Sequence, residues 1–416
     1  MRRTLFFVGA GPEMVPGIAL AREMGLRVVA TDRDPQAPGF ALADAHEVVS
    51  TRDVASTVAA ARFHHAAGGV HGVMTLACDV PLTVAAVAGA LGLPGLPVAA
   101  AAVAQHKLRM KVALGAGRVP VPRFVAAHDV DEAKAACALV GFPAVMKPVD
   151  NSASRGVTMV AGPADVARAF AVATAHGLVE PTVLVEEYVP GPQLSTESIF
   201  VAGRPVTTGY ADRNYARHDE TFPHFVEDGH TVPSVHEDVR PAVEAVIARA
   251  AAALGIAWGV VKGDVVLSPE GPKVIEIAAR LSGGRFSTNT VPLATGVEIV
   301  RAAILTAVGD VPPAAMLRPT RQAAAAQRYL FPSPGRVRAV RGADAAARMP
   351  GVTRVELYVA PGDRQPPITH HAARAGYVIA TGDDRDTAVR RAEAAVAAIG
   401  IDVVADGQTA GEGVHA

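Results

Sequence analysis

Through the first hundred residues, short apolar runs cut by glycine turns alternate with longer Ala-rich amphipathic stretches. Residues 5–8 predict a buried strand, Gly9-Ala10-Gly11-Pro12 a tight turn, 16–24 a helix, and 27–31 a second strand ending at Asp32. Residues 48–50 and 73–76 are further strand candidates. Strands alternating with helices imply a parallel sheet covered on both faces, a Rossmann-like layer. An acid some 20 residues after a Gly-rich turn is part of a dinucleotide fingerprint, but Pro12 and Met14 interrupt it. A structural layer is therefore expected, with a nicotinamide-dependent dehydrogenase as the distant alternative.

Beyond residue 105 the pattern changes. Residues 142–148 and 183–188 form short apolar runs ending on charge, and 259–267 and 273–277 read as paired strands around Ser268-Pro269-Glu270-Gly271-Pro272. From about 320, strands are expected over 322–330, 355–359 and 376–380, then a closing helix over 386–399 and a frayed polar tail over 406–416. The 416 residues allow two to four domains. Half are apolar, 19% are charged and the net charge is −1. That balance excludes a disordered chain and a nucleic-acid binder acting through a bulk basic field. The uncharged run 80–105 could span a bilayer by length, but Pro81, Pro94 and Pro97 break it into short helices. With no export pattern and no membrane segment, a cytoplasmic protein is expected. Cys78 and Cys137 lie in apolar contexts and read as buried free thiols.

Lysine is the first chemical clue. Only six of the 39 basic residues are lysine. A lysine is a compact charge suited to phosphate oxygens. Lys107 and Lys111 share a helix face, although Lys111 reads as a surface residue. Lys147 ends an apolar strand and needs an anionic partner. The small and hydroxyl residues after it, Ser152, Ser154 and Gly156 among them, can bring backbone amides and hydroxyls to phosphates. Glu186 and Glu187 end a strand and must face opposite ways, so at most one easily faces a site. Asp264 and Glu276 fall on the two paired strands, where both could enter one cleft and ligate magnesium beside substrate phosphates. Arg280 follows, then Ser282-Gly283-Gly284.

Taken in order, these parts resemble the ATP-grasp superfamily, and Glu-Ile-Ala-Ala-Arg over 276–280 is similar to its L-amino acid ligase, dipeptide-forming branch. The resemblance implies an α/β ATP-grasp fold with a biotin-carboxylase-like layout. Its parts would be a Rossmann-like pre-ATP-grasp domain (1–105), a small lid subdomain (106–190), a large subdomain (191–315) and a C-terminal α+β lobe (316–405). It implies that Lys107, Lys147, the 152–156 loop, Glu186, Glu187, Tyr188 and Val189 bind ATP, the last four largely through backbone. Gln193 stands where many members place a ribose-binding glutamate. Asp264 and Glu276 would ligate Mg2+, with Mn2+ as a substitute, and Ala278 stands where many members carry a further Asn ligand.

The implied reaction is carboxylate attack on the γ-phosphate, giving an acyl phosphate that an amine then captures. Arg280 would stabilise the charged intermediates, and Gly283 and Gly284 would let backbone approach a substrate. The segment 209–234, with Arg213 and His230, would line the acceptor pocket. Partners are small carboxylates and amines, neither nucleic acid nor membrane, and a homodimer is compatible with the branch. A purine-type or carbamoyl-phosphate-type enzyme, or a non-catalytic nucleotide-binding regulator, stays as the alternative. The pairs His64-His65 and His370-His371 read as surface residues.

Overall fold

A computed structural model describes residues 2–405; the tail expected over 406–416 lies outside the described residues. The N-terminal layer is a four-stranded parallel sheet. Its centre, Thr4–Val8, lies between Arg27–Asp32 and Gly72–Met74, and Ala45–Val48 forms one edge. The central strand is buried at all five positions because helices cover both faces. One covering helix, Ile299–Ala307, comes from far along the chain, and its Ile299 and Ile304 share a core with Leu5, Phe7 and Ile18.

A second sheet is antiparallel, in the order Phe124–Ala127, Val183–Glu187, Ala144–Pro148, Thr158–Val160. The helices Val130–Val140 and Val166–Ala175 pack on it through Ala133, Ala136, Val140, Val166 and Ala169. Asp129 caps the first of these by accepting the Glu132 amide at 2.8 Å.

The largest sheet has eight strands. In order they are Gly271–Ala278, Gly259–Ser268, Gln193–Val201, Arg204–Asn214, Gly229–Val232, Ala324–Tyr329, Gly376–Gly382 and Val352–Leu357. The helix Arg240–Ala253 covers its first half and Arg385–Ala397 its second. The sheet runs without a break across positions 315 and 316, because Gly229–Val232 pairs directly with Ala324–Tyr329. A three-stranded sheet, Arg364–Gln365, Gly335–Arg341 and Gly400–Val404, completes the C-terminal end.

Cys137 is buried as expected, and burial pushes its thiol up to about 11; Cys78 is only half-buried. His64 corrects the surface reading. It follows Thr57 and Ala61 on the buried face of the helix Val54–Gly68, and its Nε2 lies 2.8 Å from Glu47.

Candidate active site

A cavity of about 310 Å³ opens between the four-stranded antiparallel sheet and the eight-stranded sheet. At one end it is built from lysines. Lys107 opens the helix Lys107–Ala116; its Nζ donates to the Asn151 carbonyl at 2.6 Å and lies 2.9 Å from Glu276. Lys147 sits near the end of Ala144–Pro148, and its Nζ donates to Glu186 at 2.6 Å, the anionic partner that its apolar strand required. Lys111 is a correction. It is 1% exposed, lies 3.1 Å from the other Glu186 oxygen and donates to the Val274 carbonyl at 3.0 Å. One turn after Lys107 on the same helix face, it is carried inward with it. Burial pushes Lys111 down to about 8, while the two ammoniums outweigh burial and hold Glu186 below the usual carboxylate range.

Glu187 faces the other way, as strand alternation demands, onto Arg123 (2.6 Å) and Lys273 (3.4 Å). Both carboxylates are thus engaged by cations, and the Glu187 and Tyr188 amides already donate to the Arg123 and Pro143 carbonyls at 2.9 and 3.2 Å. Tyr188 and Val189 line the cavity there, with Tyr188 stacked on Phe225 at 6.1 Å.

The loop after Lys147 lines the same end. Asp150 anchors its start by accepting the amides of Leu178 and Val179 at 2.9 and 2.6 Å. Ala153 and Ser154 then adopt φ of +56° and +58°, and Gly156 adopts +74°, where a Cβ would meet His176 at 2.8 Å.

Asp264 and Glu276 are direct cross-strand partners. Asp264 accepts from Ser195 Oγ at 2.9 Å, lies 3.2 Å from Arg213 and also pairs with Lys262. Two hard carboxylates side by side on a cavity wall fit a magnesium ion whose other ligands are nucleotide phosphates. Protein donors alone make no full set: among the described residues no three His, Cys, Asp or Glu side chains cluster for a metal. Ala278, on the same strand two residues on, adds no oxygen.

Arg280 also lines the cavity, held from outside the sheet: Asp79, in the loop after the last strand of the N-terminal layer, accepts from it at 2.6 and 2.8 Å. Two glutamates fix the Gly-rich turn that follows. Glu197 accepts the Ser282 amide at 2.6 Å and the Ser287 hydroxyl at 3.1 Å. Glu13, from the N-terminal Gly-rich turn, accepts the Gly284 amide at 3.1 Å. Gly283 and Gly284 both face the cavity. That N-terminal turn is otherwise closed on itself. Asp32 accepts the Ala10 amide at 2.9 Å and the Asp34 amide at 3.1 Å, which engages the acid a dinucleotide ribose would need.

Arg213 and His230, also on the cavity wall, are paired across adjacent strands. Arg213 bonds Glu227 at 2.8 Å and reaches Gln193 at 3.4 Å, and His230 lies 2.7 Å from Thr290 Oγ1. Burial pushes Glu227 up, but Arg213 and His230 more than reverse this and hold it well below the usual range. Burial pushes His230 down, towards the neutral ring.

The cavity therefore brings together every candidate residue singled out in the sequence except Gly156, whose neighbours Arg155 and Val157 line it. It also contains Asp79, Lys262, His371 and Arg374, which sequence reasoning missed. Lys262 was within reach, since two residues before Asp264 on a strand means the same face. His371, expected at the surface, faces the cavity because the connection carrying it crosses back from the C-terminal lobe. Nothing local marks it or Asp79.

A model of the ATP-grasp domain matches residues 140–289, and one of the L-amino acid ligase C-terminal domain 2 matches residues 328–404. The uncharacterized protein y4rH of Sinorhizobium fredii is 30% identical over 335 residues, covering 78% of this chain and 67% of its own. Carnosine synthase 1 of Gallus gallus is 29% identical over 354 residues, covering 79% of this chain and 37% of the larger protein. The solved L-amino acid ligase of Bacillus licheniformis has the same fold, with a TM-score of 0.80 over 97% of this chain and 99% of its own at 20% identity. The residues that converge on the cavity lie largely within the first matched segment, and Tyr329, His371 and Arg374 within the second. The chain belongs to the ATP-grasp superfamily, in the branch that carries the L-amino acid ligase C-terminal domain.

Proposed function

We propose that the chain is an ATP-dependent, ADP-forming ligase that joins a carboxylate to an amine, with amino acids or amino-acid-like metabolites as both substrates. The supporting observation is the arrangement of the cavity. Lys107, Lys147, the loop after Lys147, the Asp264–Glu276 pair, Arg280, Arg213, Glu227 and His230 all face one cavity, with Arg213 3.2 Å from Asp264. That set of charges suits the phosphates of a nucleotide beside a small zwitterion.

Asp264 and Glu276 would hold Mg2+, which when bound neutralises phosphate charge that would otherwise repel an incoming carboxylate. Lys107 and Lys147 add fixed positive charge, oriented by Glu276 and Glu186. The base would rest against Tyr188 and Val189, with Gln193 near the ribose. The substrate carboxylate attacks the γ-phosphorus, its bond to the bridging oxygen of ADP breaks, and the acyl phosphate forms. Arg280 stabilises the charge on that species, and the amine then displaces phosphate. Arg213 presents a cation to one substrate carboxylate, and Glu227 an anion to an amino group. The backbone of Gly283 and Gly284 can come close to either. Ser152, Ser154 and Gly156 lie in the segment that keeps water from the acyl phosphate. The four parts would keep the bounds 1–105, 106–190, 191–315 and 316–405, with one sheet shared by the last two.

The test is phosphate release from ATP and Mg2+ across pools of amino acids, with mass spectrometry of the products. Release that needs two amino acids and yields their sum less one water supports the reading. Release with a single acid and a nucleotide-derived or carbamoyl-type product overturns it.

A further inference from the structure

One part of the cavity wall is explained neither by nucleotide nor by metal binding. Residues 370–374 belong to the C-terminal lobe, in the connection before Gly376–Gly382, yet they reach the loop that follows Lys147. The His371 amide donates to the Ala153 carbonyl at 3.0 Å, and His371 Nε2 lies 3.2 Å from Ser154 Oγ. The same nitrogen accepts the Glu227 amide at 3.3 Å. Arg374 braces both partners: its Nε donates to the His371 carbonyl at 2.7 Å and its Nη1 to the Glu227 carbonyl at 2.9 Å. Its guanidinium lies 3.4 Å from the centre of the Tyr329 ring. One imidazole thus bridges the loop after Lys147 and the segment carrying Glu227.

The loop needs such support. Ala153 and Ser154 are consecutive non-glycine residues at φ of +56° and +58°. Side chains disfavour that region, and a chain stays there only where its surroundings over-determine it. Here the surroundings come from a residue 217 positions from Ser154. Burial, with Arg374 adding to it, holds the imidazole well below its ordinary value, so the ring is neutral and Nε2 keeps the lone pair that accepts the Glu227 amide.

We propose that His371 is a positioning residue that holds the 152–154 loop over the cavity and ties the loop's position to Glu227. The benefit to catalysis rests on the ligase reading; the tie itself rests on geometry alone.

Hydrogen exchange on the full, nucleotide-free chain tests it. His371→Ala should raise exchange across 150–157 about tenfold and raise it also across 225–229, while Gly376–Gly382 keeps its protection. His371→Gln, whose amide oxygen can accept the Glu227 N–H, should restore most of that protection. In turnover, His371→Ala should release more than one ADP per ligated product. Unchanged exchange across 150–157, with Gly376–Gly382 still protected, overturns the proposal whatever the activity. If His371→Ala exposes Gly376–Gly382 as well, Ser154→Ala removes the same contact from the loop side, and unchanged exchange there is equally decisive. Faster loop exchange in a protein that never consumes ATP leaves the tie standing and removes the ligase reading.

Discussion

Arg280 is gripped by Asp79 across 201 residues of chain, with hydrogen bonds of 2.6 and 2.8 Å from Nε and Nη2 to the two carboxylate oxygens. The side chain proposed to meet a phosphoryl group is therefore aimed by the N-terminal layer. Asp79→Ala leaves a mostly buried guanidinium without its counter-ion, and we expect a stability loss of about 3 kcal/mol. We also expect kcat to fall about 10²-fold, because the charge is no longer held in place. Urea unfolding and steady-state ADP formation measure the two effects. An unchanged kcat would remove Arg280 from the chemistry.

Glu276 pairs with Lys107 and stands opposite Asp264. Glu276→Gln keeps the side-chain shape and removes the charge. We expect ADP formation to drop by roughly 10²–10³-fold and the Mg2+ concentration for half-maximal rate to rise, with the thermal midpoint little changed. A normal Mg2+ dependence at normal rate would sink the metal assignment.

Glu186 is the shared counter-ion of Lys111 and Lys147. Removing it strands two buried ammoniums, so Glu186→Ala should cost about 3–5 kcal/mol. Adding Lys111→Met to that variant should recover part of the loss but not the affinity for ATP. Calorimetry of the single and double variants, with and without nucleotide, separates the two roles.

Glu197 gives a pH signature. Burial pushes its carboxyl up to about 7, against the Ser282 and Ser287 hydrogen bonds that pull it down, whereas its unperturbed value is 4.5. The folded chain therefore holds this proton more tightly than the unfolded one. The resulting stabilisation is full below about pH 4.5 and fades as pH rises to 7, by at most about 1.4 kcal/mol per unit. Glu197→Gln has no such proton, so its melting temperature should gain on the wild type between pH 5 and 7.5. Parallel curves would show that Glu197 is ionised throughout.

Gly284 tests how tightly the turn is built. Its φ is +63°, and a Cβ there would lie 2.6 Å from the Tyr329 hydroxyl. Gly284→Ala should lower kcat/KM at least tenfold, about 1.4 kcal/mol. Tyr329→Phe in the same chain should return the steric share but not the backbone share. Kinetics of the double variant report the split.

Two lysines were read into the site from the sequence, Lys107 and Lys147, whereas Lys111 was read as a surface residue and Lys262 was missed. Of the six, Lys107, Lys147 and Lys262 line the cavity, and Lys111 and Lys273 pair with its glutamates Glu186 and Glu187. Only Lys134 pairs on an exposed helix surface, with Asp131. Strand alternation was equally informative: it separated Glu186 from Glu187 and put Asp264 opposite Glu276. Among the elements left unread were Gln193–Val201 and Arg204–Asn214, where Ser195, Glu197 and Asp212 occupy buried positions. Their polarity hides a core strand pair, because each buried polar group is satisfied by another part of the chain: Ser195 by Asp264, Glu197 by Ser282 and Asp212 by Ser234. The Asp79 and His371 contacts were illegible for a related reason. The Asp79–Arg280 and His371–Ser154 contacts span 201 and 217 residues and His371–Glu227 spans 144, and no local pattern encodes a partner at that range.

The unbroken eight-stranded sheet sets a rule for recombining this chain with its relatives. A crossover near position 315 cuts through this sheet: it parts Gly229–Val232 from Ala324–Tyr329, and with them His230 from Tyr329 on one cavity wall. A graft of the C-terminal lobe would bring a new pocket lining, so hybrids made at that joint should inherit substrate preference from both parents.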